Sequence, residues 1–313
     1  MAPPSPTGFA RELPFSPADW HLQREAHYTR VDEWIQPHLW RKARGQKHPI
    51  EDFLFDYYPF SPGRLRLWNP GPFAQLSDYL DDTALPIGFK VNAEHTAAFT
   101  WAELSAQHQQ RLSQEVSWVH RLLTGTRSRT ASFGCFGLHE WAMLLGQSPE
   151  ERRHAQWALR VSDDILRATI DELGLRCTHF DAWRFFTPES LLRNPWTHSR
   201  ATQPDHDQGG CLHANMDLYK WSMRLHPLVP SSFIVKCFDL ALRIRQLDMA
   251  ASPYDFNHLG VIPVCIELPA GRADYVKQQR GFAAEADELR AELLGQLDRI
   301  LSRLPELAAT IPA

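Results

Sequence analysis

Several features are missing from this 313-residue chain, and each omission removes a class of function. It contains no run of about 18 apolar residues, so no membrane-spanning helix is expected. There is no excess of basic charge: the net charge is -4, and the short basic runs Arg41, Lys42, Arg44, Lys47 and Arg121, Arg127, Arg129 read as ordinary solvated helix ends. The five cysteines, at 135, 177, 211, 237 and 265, are odd in number and scattered, which fits a reducing cytoplasm better than a disulfide framework. Met1 to Thr7 is Pro-rich and lacks both the basic start and the apolar core of a secretory signal. G-x-S-x-G, H-E-x-x-H, P-loop and G-x-G-x-x-G motifs are all absent.

What is present is globular: 43% hydrophobic and 11% aromatic residues, with no low-complexity block. The periodicity predicts a mainly α, single-domain helical fold with a few short strands, α+β being the alternative. Residues 1–15 read as a flexible Pro-rich terminus, 16–305 as one globular domain and 306–313 as a tail. Ser16-Pro17 starts a helix reaching about Arg44 that Pro37 bends or interrupts, and Pro49 opens a second. Pro59 to Pro72 forms a long irregular connection. Thr100 with Glu103 caps a helix to Leu123, and Ser148 with Glu151 caps another to Leu173. Alternation across 175–186 favours a strand, as does Val261 to Leu268. Helices follow over Cys211–Leu225, Ser232–Leu247 and Tyr275–Leu304.

Chemistry concentrates between Arg176 and Trp221. Cys177, His179, Asp181, His206, Asp207, Cys211, His213 and Asp217 lie there among Phe180, Trp183, Phe185, Phe186 and Trp196. Such groups are costly to bury without partners, so the stretch reads as a site. Three Cys/His pairs stand out, Cys135 with His139, Cys177 with His179 and Cys211 with His213, but none has the spacing of a structural zinc site. An open iron or dimetal centre drawn from His139, Glu140, His179, Asp181, His213 and Asp217 fits the ligand types better. His213 and Asp217 stand four apart, one turn on a single helix face, and Trp221 would wall the same pocket one turn on. A cysteine nucleophile at Cys135 or Cys211 is a further alternative.

The runs KHPIEDFLFDYYPFSPGRLRLWNPG from Lys47, FGCFGLHEWAM from Phe133, CTHFDAWRFFTP from Cys177, GCLHANMDLYKW from Gly210 and IRQLDMAASPYD from Ile244 resemble a bacterial, largely actinobacterial family described as 3-methyladenine DNA glycosylase. The likeness covers about His27 to Phe282. It implies hydrolysis of the N-glycosidic bond of an alkylated purine, with damaged DNA or a purine-like small molecule as partner and no cofactor. That chemistry needs a carboxylate and aromatic walls. Asp181 is the first choice of carboxylate, then Glu140 and Asp217. Phe180, Trp183, Trp141, Trp221, Tyr219 and Lys220 are the candidate binding residues. The competing enzyme reading is a metal-dependent oxidoreductase on a small molecule, with His139, His179 and His213 as ligands of iron or zinc. A non-catalytic small-molecule binding protein is the third.

Overall fold

The computed structural model describes residues 15–80, 85–152 and 154–309. Most of the expected 1–15 terminus, and residues 310–313 of the expected tail, lie outside these. Twelve α-helices occur among the described residues: α1 (Pro17–Lys42), α2 (Phe53–Tyr57), α3 (Pro62–Arg66), α4 (Ala106–Ser128), α5 (His139–Ala142), α6 (Asp163–Leu173), α7 (Phe180–Trp183), α8 (Pro188–Arg193), α9 (Gln203–His206), α10 (Leu212–Arg224), α11 (Ser231–Ala250) and α12 (Pro269–Ala309). Strands β1 (Gln75–Leu76), β2 (Phe89–Val91) and β3 (Ala97–Phe99) form one small antiparallel sheet in the order β1-β3-β2, with Phe89 opposite Phe99. The fold is therefore mainly α. Among the described residues no helix is long and apolar enough to cross a membrane.

Helix α10 is the axis of the fold. It packs on α11 and α12, and nearly every residue from Leu212 to Met223 is buried whatever face it occupies. A helix covered on all sides is normally apolar throughout. This one carries Asn215, Asp217, Lys220 and Ser222 into the interior, so their partners must come from other elements. Arg290 on α12 answers one of them, donating to Asn215 Oδ1 at 2.7 Å while fully buried itself. A smaller core of Trp20, Leu76, Tyr79, Phe89 and Ala97 sits under the sheet.

Several expected elements differ. Pro37 does not end α1, because Val31, Ile35 and His38 on the buried face hold the helix through the one lost backbone bond. Thr100 caps only a single 3₁₀ turn, and α4 begins at Ser105, whose hydroxyl accepts from His108 N at 3.3 Å. Glu151 Oε2 does accept from Ser148 N at 2.9 Å, yet no helix follows there. Leu159 instead bridges to Tyr254, and α6 waits for the Ser162 cap; Arg153, inside the expected helix, lies outside the described residues. The strand expected over 175–186 is a single helical turn, α7. Cys177 bonds both ways to the Asn194 side chain, and this takes the backbone groups a neighbouring strand would need. Val261 to Leu268 is likewise not a strand; Val264 N goes to Ala250 O at the end of α11. Helix α12 runs to Ala309, past the start of the expected tail.

One buried group ties this packing to pH. His226, 5% exposed and without a partner for Nε2, is held down from 6.5 to about 4, first by burial and then by Arg64 and Arg111. Its folded value lies below its unfolded one, so the unfolded chain binds the extra proton between those limits. Stability is full above pH 6.5 and is lost as the pH falls towards 4, by up to about 3 kcal/mol. Urea midpoints measured across this window should fall, and His226→Asn should flatten the slope; an unchanged slope in a folded variant would refute the assignment.

Candidate functional site

All five sequence runs singled out above meet around one cavity of about 320 Å³. The chain from Lys47 brings Phe53, Tyr57 and Tyr58; α5 brings His139 and Glu140; α7 and its flanks bring His179, Asp181 and Phe185; α10 brings His213, Met216 and Asp217; α11 brings Arg245 and Met249. Three imidazoles stand in a row. His139 and His213 meet edge to face with ring centroids 4.1 Å apart, and His213 stacks on His179 at 6.0 Å.

The potential ligands do not form one set. They divide into His139–His213–Asp248 and His179–Asp181–Asp217, within each of which the nearest ligand atoms lie within 4.8 Å of one another. His213 and Asp217 both line the cavity, but the four-residue spacing does not make them a pair: each belongs to a different cluster.

The second cluster is closed by hydrogen bonds. Lys220 Nζ reaches Asp181 Oδ2 at 2.5 Å and Asp217 Oδ2 at 2.8 Å. Arg200 donates to both oxygens of Asp181, and Tyr58 Oη donates to Asp217 Oδ1 at 2.8 Å. His179 Nδ1 lies 3.0 Å from Asp207 Oδ1, and Gln203 Nε2 donates to the other Asp207 oxygen. Burial raises the Asp181 carboxyl, but Lys220, Arg200 and His179 outweigh it and hold the group far below the usual carboxylate range. Asp217→Asn should therefore cost about 1.5–3 kcal/mol in denaturant titration, because a buried ammonium loses one of two charged acceptors. A loss below about 0.5 kcal/mol would show that the Lys220 contact to Asp217 contributes little to folding.

The first cluster is open. Arg245 Nη1 donates to Glu140 Oε1 and to Asp248 Oδ2, both at 2.9 Å, fixing one oxygen of each carboxylate. The other oxygens, Glu140 Oε2 and Asp248 Oδ1, are buried without a hydrogen bond, as is His139 Nδ1, although His139 approaches both carboxylates at 3.4 Å. Burial works against a charged His139, and the Asp248 and Glu140 carboxylates more than offset it, so its affinity for a proton is raised. His213 goes the other way. Burial first, then repulsion from His139, His179 and Arg245, keeps it neutral and thus with a lone pair to offer.

The aromatic residues chosen from sequence are elsewhere. Trp141 is fully buried and donates to Ala251 O; Tyr219 packs edge-on against Tyr58, Phe60 and Phe238. Phe180 lies under the Arg200 guanidinium, Trp183 meets His198, and Trp221 meets Trp118 with Lys220 over its ring. None lines the cavity, and Lys220 holds Asp181 and Asp217 from behind it. The walls are instead Phe53 stacked on Tyr57 at 5.0 Å, with Phe185 and Trp157. Pro59, Ser61, Pro62 and Gly63, the turn residues that follow, hid Tyr57 and Tyr58, whereas Arg245 and Asp248 carried a legible signal: opposite charges three apart on a helix rich in apolar residues.

Cys135, Cys177 and Cys211 also converge, on a separate space of about 30 Å³ behind His139 and His213. Burial pushes Cys135 up, Cys177 up to about 12 and Cys211 well above the ordinary thiol value. Neutral thiols are poor nucleophiles, and neither ligand cluster includes a cysteine among the described residues. Members of the basic runs have partners within the chain: Arg41 meets Glu51 and Asp52, Lys47 meets Asp56, Arg127 meets Asp287 and Arg129 meets two backbone carbonyls. No protein-family model, no curated protein and no solved structure matches this chain.

Proposed function

We propose that the protein is a metal-dependent enzyme of the non-haem-iron oxidoreductase type, acting on a small, flat, largely apolar molecule. The observation that carries this reading is the open cluster: the His139 and His213 imidazoles on the wall of a largely apolar cavity with the Asp248 carboxylate beside them, Asp248 Oδ1 and Glu140 Oε2 being buried and without a hydrogen bond. Two histidines and one carboxylate with free positions is the donor set of oxygen-activating iron centres. Neutral His213 is already in the form a metal takes, and the absence of thiolate from the set disfavours a structural zinc.

His139, His213 and Asp248 would hold the ion, which would supply Lewis acidity and redox capacity. The remaining residues act on their own account. Arg245 fixes Asp248 and Glu140 through one oxygen each, leaving the second oxygen of each without a hydrogen bond. Glu140 Oε2 is placed to accept a proton from a bound water or substrate hydroxyl. Phe53, Tyr57 and Phe185 give flat apolar walls that suit a ring compound and keep bulk water out. Metal analysis of untagged protein tests the reading: one equivalent of iron, manganese or zinc is expected, and trace levels with no uptake on reconstitution would sink it.

A second reading rests on the stacked Phe53–Tyr57 pair, which also suits a flipped purine. Under it the protein would hydrolyse the N-glycosidic bond of an alkylated base, with Asp181, Glu140 or Asp217 as the assisting carboxylate. We rank it second because Arg41, Lys47 and Arg127 already meet carboxylates and the hydrogen bonds on Asp181 and Asp217 are closed. Release of base from alkylated duplex by metal-free protein would promote it.

A further inference from the structure

We propose that the Lys220 ammonium stands where a second metal ion would otherwise bind, so that the cavity takes one ion, at His139–His213–Asp248, and admits another at His179–Asp181–Asp217 only when Lys220 is removed. The inference rests on the metal-dependent reading of the open cluster.

The two clusters are alike in composition and adjacent in space. Each offers imidazole and carboxylate with ligand atoms within 4.8 Å, and the imidazole row joins them through the 6.0 Å stack of His213 on His179. Sites of this kind in two-metal enzymes hold ions about 3.5–4 Å apart, bridging shared chemistry. What distinguishes the clusters is the state of their oxygens. In the open cluster Asp248 Oδ1 is buried without a hydrogen bond, 3.4 Å from His139 Nδ1, and Glu140 Oε2 is buried without one too. In the closed one no carboxylate oxygen is left over. Asp217 gives Oδ1 to Tyr58 and Oδ2 to Lys220; Asp181 gives Oδ2 to Lys220 and both oxygens to Arg200.

Lys220 does the work of a cation there in a specific way. Its Nζ lies between two carboxylates of different helices, α7 and α10, at 2.5 and 2.8 Å, and the residue is 9% exposed. Because Lys220 and Asp217 share α10 three residues apart, the ammonium is tethered at the position and cannot exchange with solution. Arg200 reaches Asp181 but not Asp217, so a further positive charge is needed to hold the buried Asp217 carboxylate beside it, whatever the source of that charge. A lysine supplies it permanently; a divalent ion would have to displace it. Lys220→Met keeps the length and apolar stem while removing the charge, leaving Asp217 Oδ2 free beside His179 Nε2, which already lies 3.5 Å from it, and Asp181 held by Arg200 from one side.

The experiment is metal stoichiometry, with Mn²⁺, Zn²⁺ and anaerobic Fe²⁺ as probes, read by elemental analysis and by calorimetric titration. One equivalent is expected in wild type, lost in His213→Ala and kept in His179→Ala. Two are expected in Lys220→Met, falling back to one in Lys220→Met/Asp181→Asn. Two equivalents in wild type, a single wild-type ion that survives His213→Ala but not His179→Ala, or a folded Lys220→Met that binds no more ions than wild type would each overturn the proposal. Should Lys220→Met be recovered unfolded, refolding in Mn²⁺ reads the same quantity: restored helical circular dichroism with two ions bound supports it, and failure to refold, while Lys220→Arg folds with one ion, overturns it. No ion in wild type but one in Lys220→Met would end the metal-dependent function while upholding the place assigned to Lys220.

Discussion

His213→Ala is expected to abolish tight metal retention and, with it, turnover, while leaving the metal-free protein as stable as wild type or slightly more so. The two halves of this result have separate causes. Loss of a direct ligand should exceed the roughly 10–100-fold that loss of an outer partner costs a metal site. The metal-free fold, by contrast, gains nothing from this imidazole's charge state: burial and the neighbouring His139, His179 and Arg245 all oppose its protonation. The alanine relieves crowding in a row where centroids approach to 4.1 Å, at the expense of some packing. Metal titration with parallel urea unfolding in chelator separates the effects. Wild-type metal affinity in a folded variant would remove His213 from the site, whereas a large stability loss in chelator would make it a packing residue.

Gly210→Ala should give the largest stability loss of any one-methyl change near the site, about 3 kcal/mol, through overpacking. A Cβ at Gly210 would lie 2.2 Å from Ser132 O and 2.9 Å from Ser132 C, which are backbone atoms and cannot rotate away. The position is clamped from both sides, since Gly210 N donates to Gln208 Oε1 and Gly210 O accepts from Gln279 Nε2, each at 2.7 Å. Relief must come from shifting the start of α10, and with it His213. Gly209→Ala is the built-in control, its Cβ meeting only Ala131 Cβ at 4.0 Å, and should fall within about 0.5 kcal/mol of wild type. Equal losses at 209 and 210 would show that the turn's backbone freedom matters, not the approach of Ser132.

Helix α10 shows how far local pattern carries. Its span was legible within a residue at each end because Gly209-Gly210 breaks the chain before it and apolar residues recur at helical steps within it. The helices α11 and α12 were legible from apolar residues at helical steps, although α12 starts at Pro269, ahead of the expected Tyr275. The segment 175–186 was not, because alternation and helical spacing both fit twelve residues and the choice was made by Asn194, seventeen positions on from Cys177. The three β-strands, two or three residues each, are too short to show a period and exist through pairing with one another.

For the site, residue chemistry alone singled out His139, Glu140, His179, Asp181, His213 and Asp217, and all six do face one cavity. Titratable groups among aromatics are a composition signal, and it needs no fold to be read, since burying them without partners is costly. Their grouping was decided only in three dimensions. Spacing on α10 joined His213 to Asp217, but tertiary packing brings Asp248 from α11 to the first and Lys220, Asp181 and Tyr58 to the second. Likewise the aromatic residues near the motif in sequence became scaffold, and Phe53 and Tyr57, more than 120 residues from Asp181, became the walls. Sequence neighbours on a short helix point in different directions, whereas a cavity is made by whatever elements surround it. The ingredients of this site are therefore written locally, and its partnerships are set by packing.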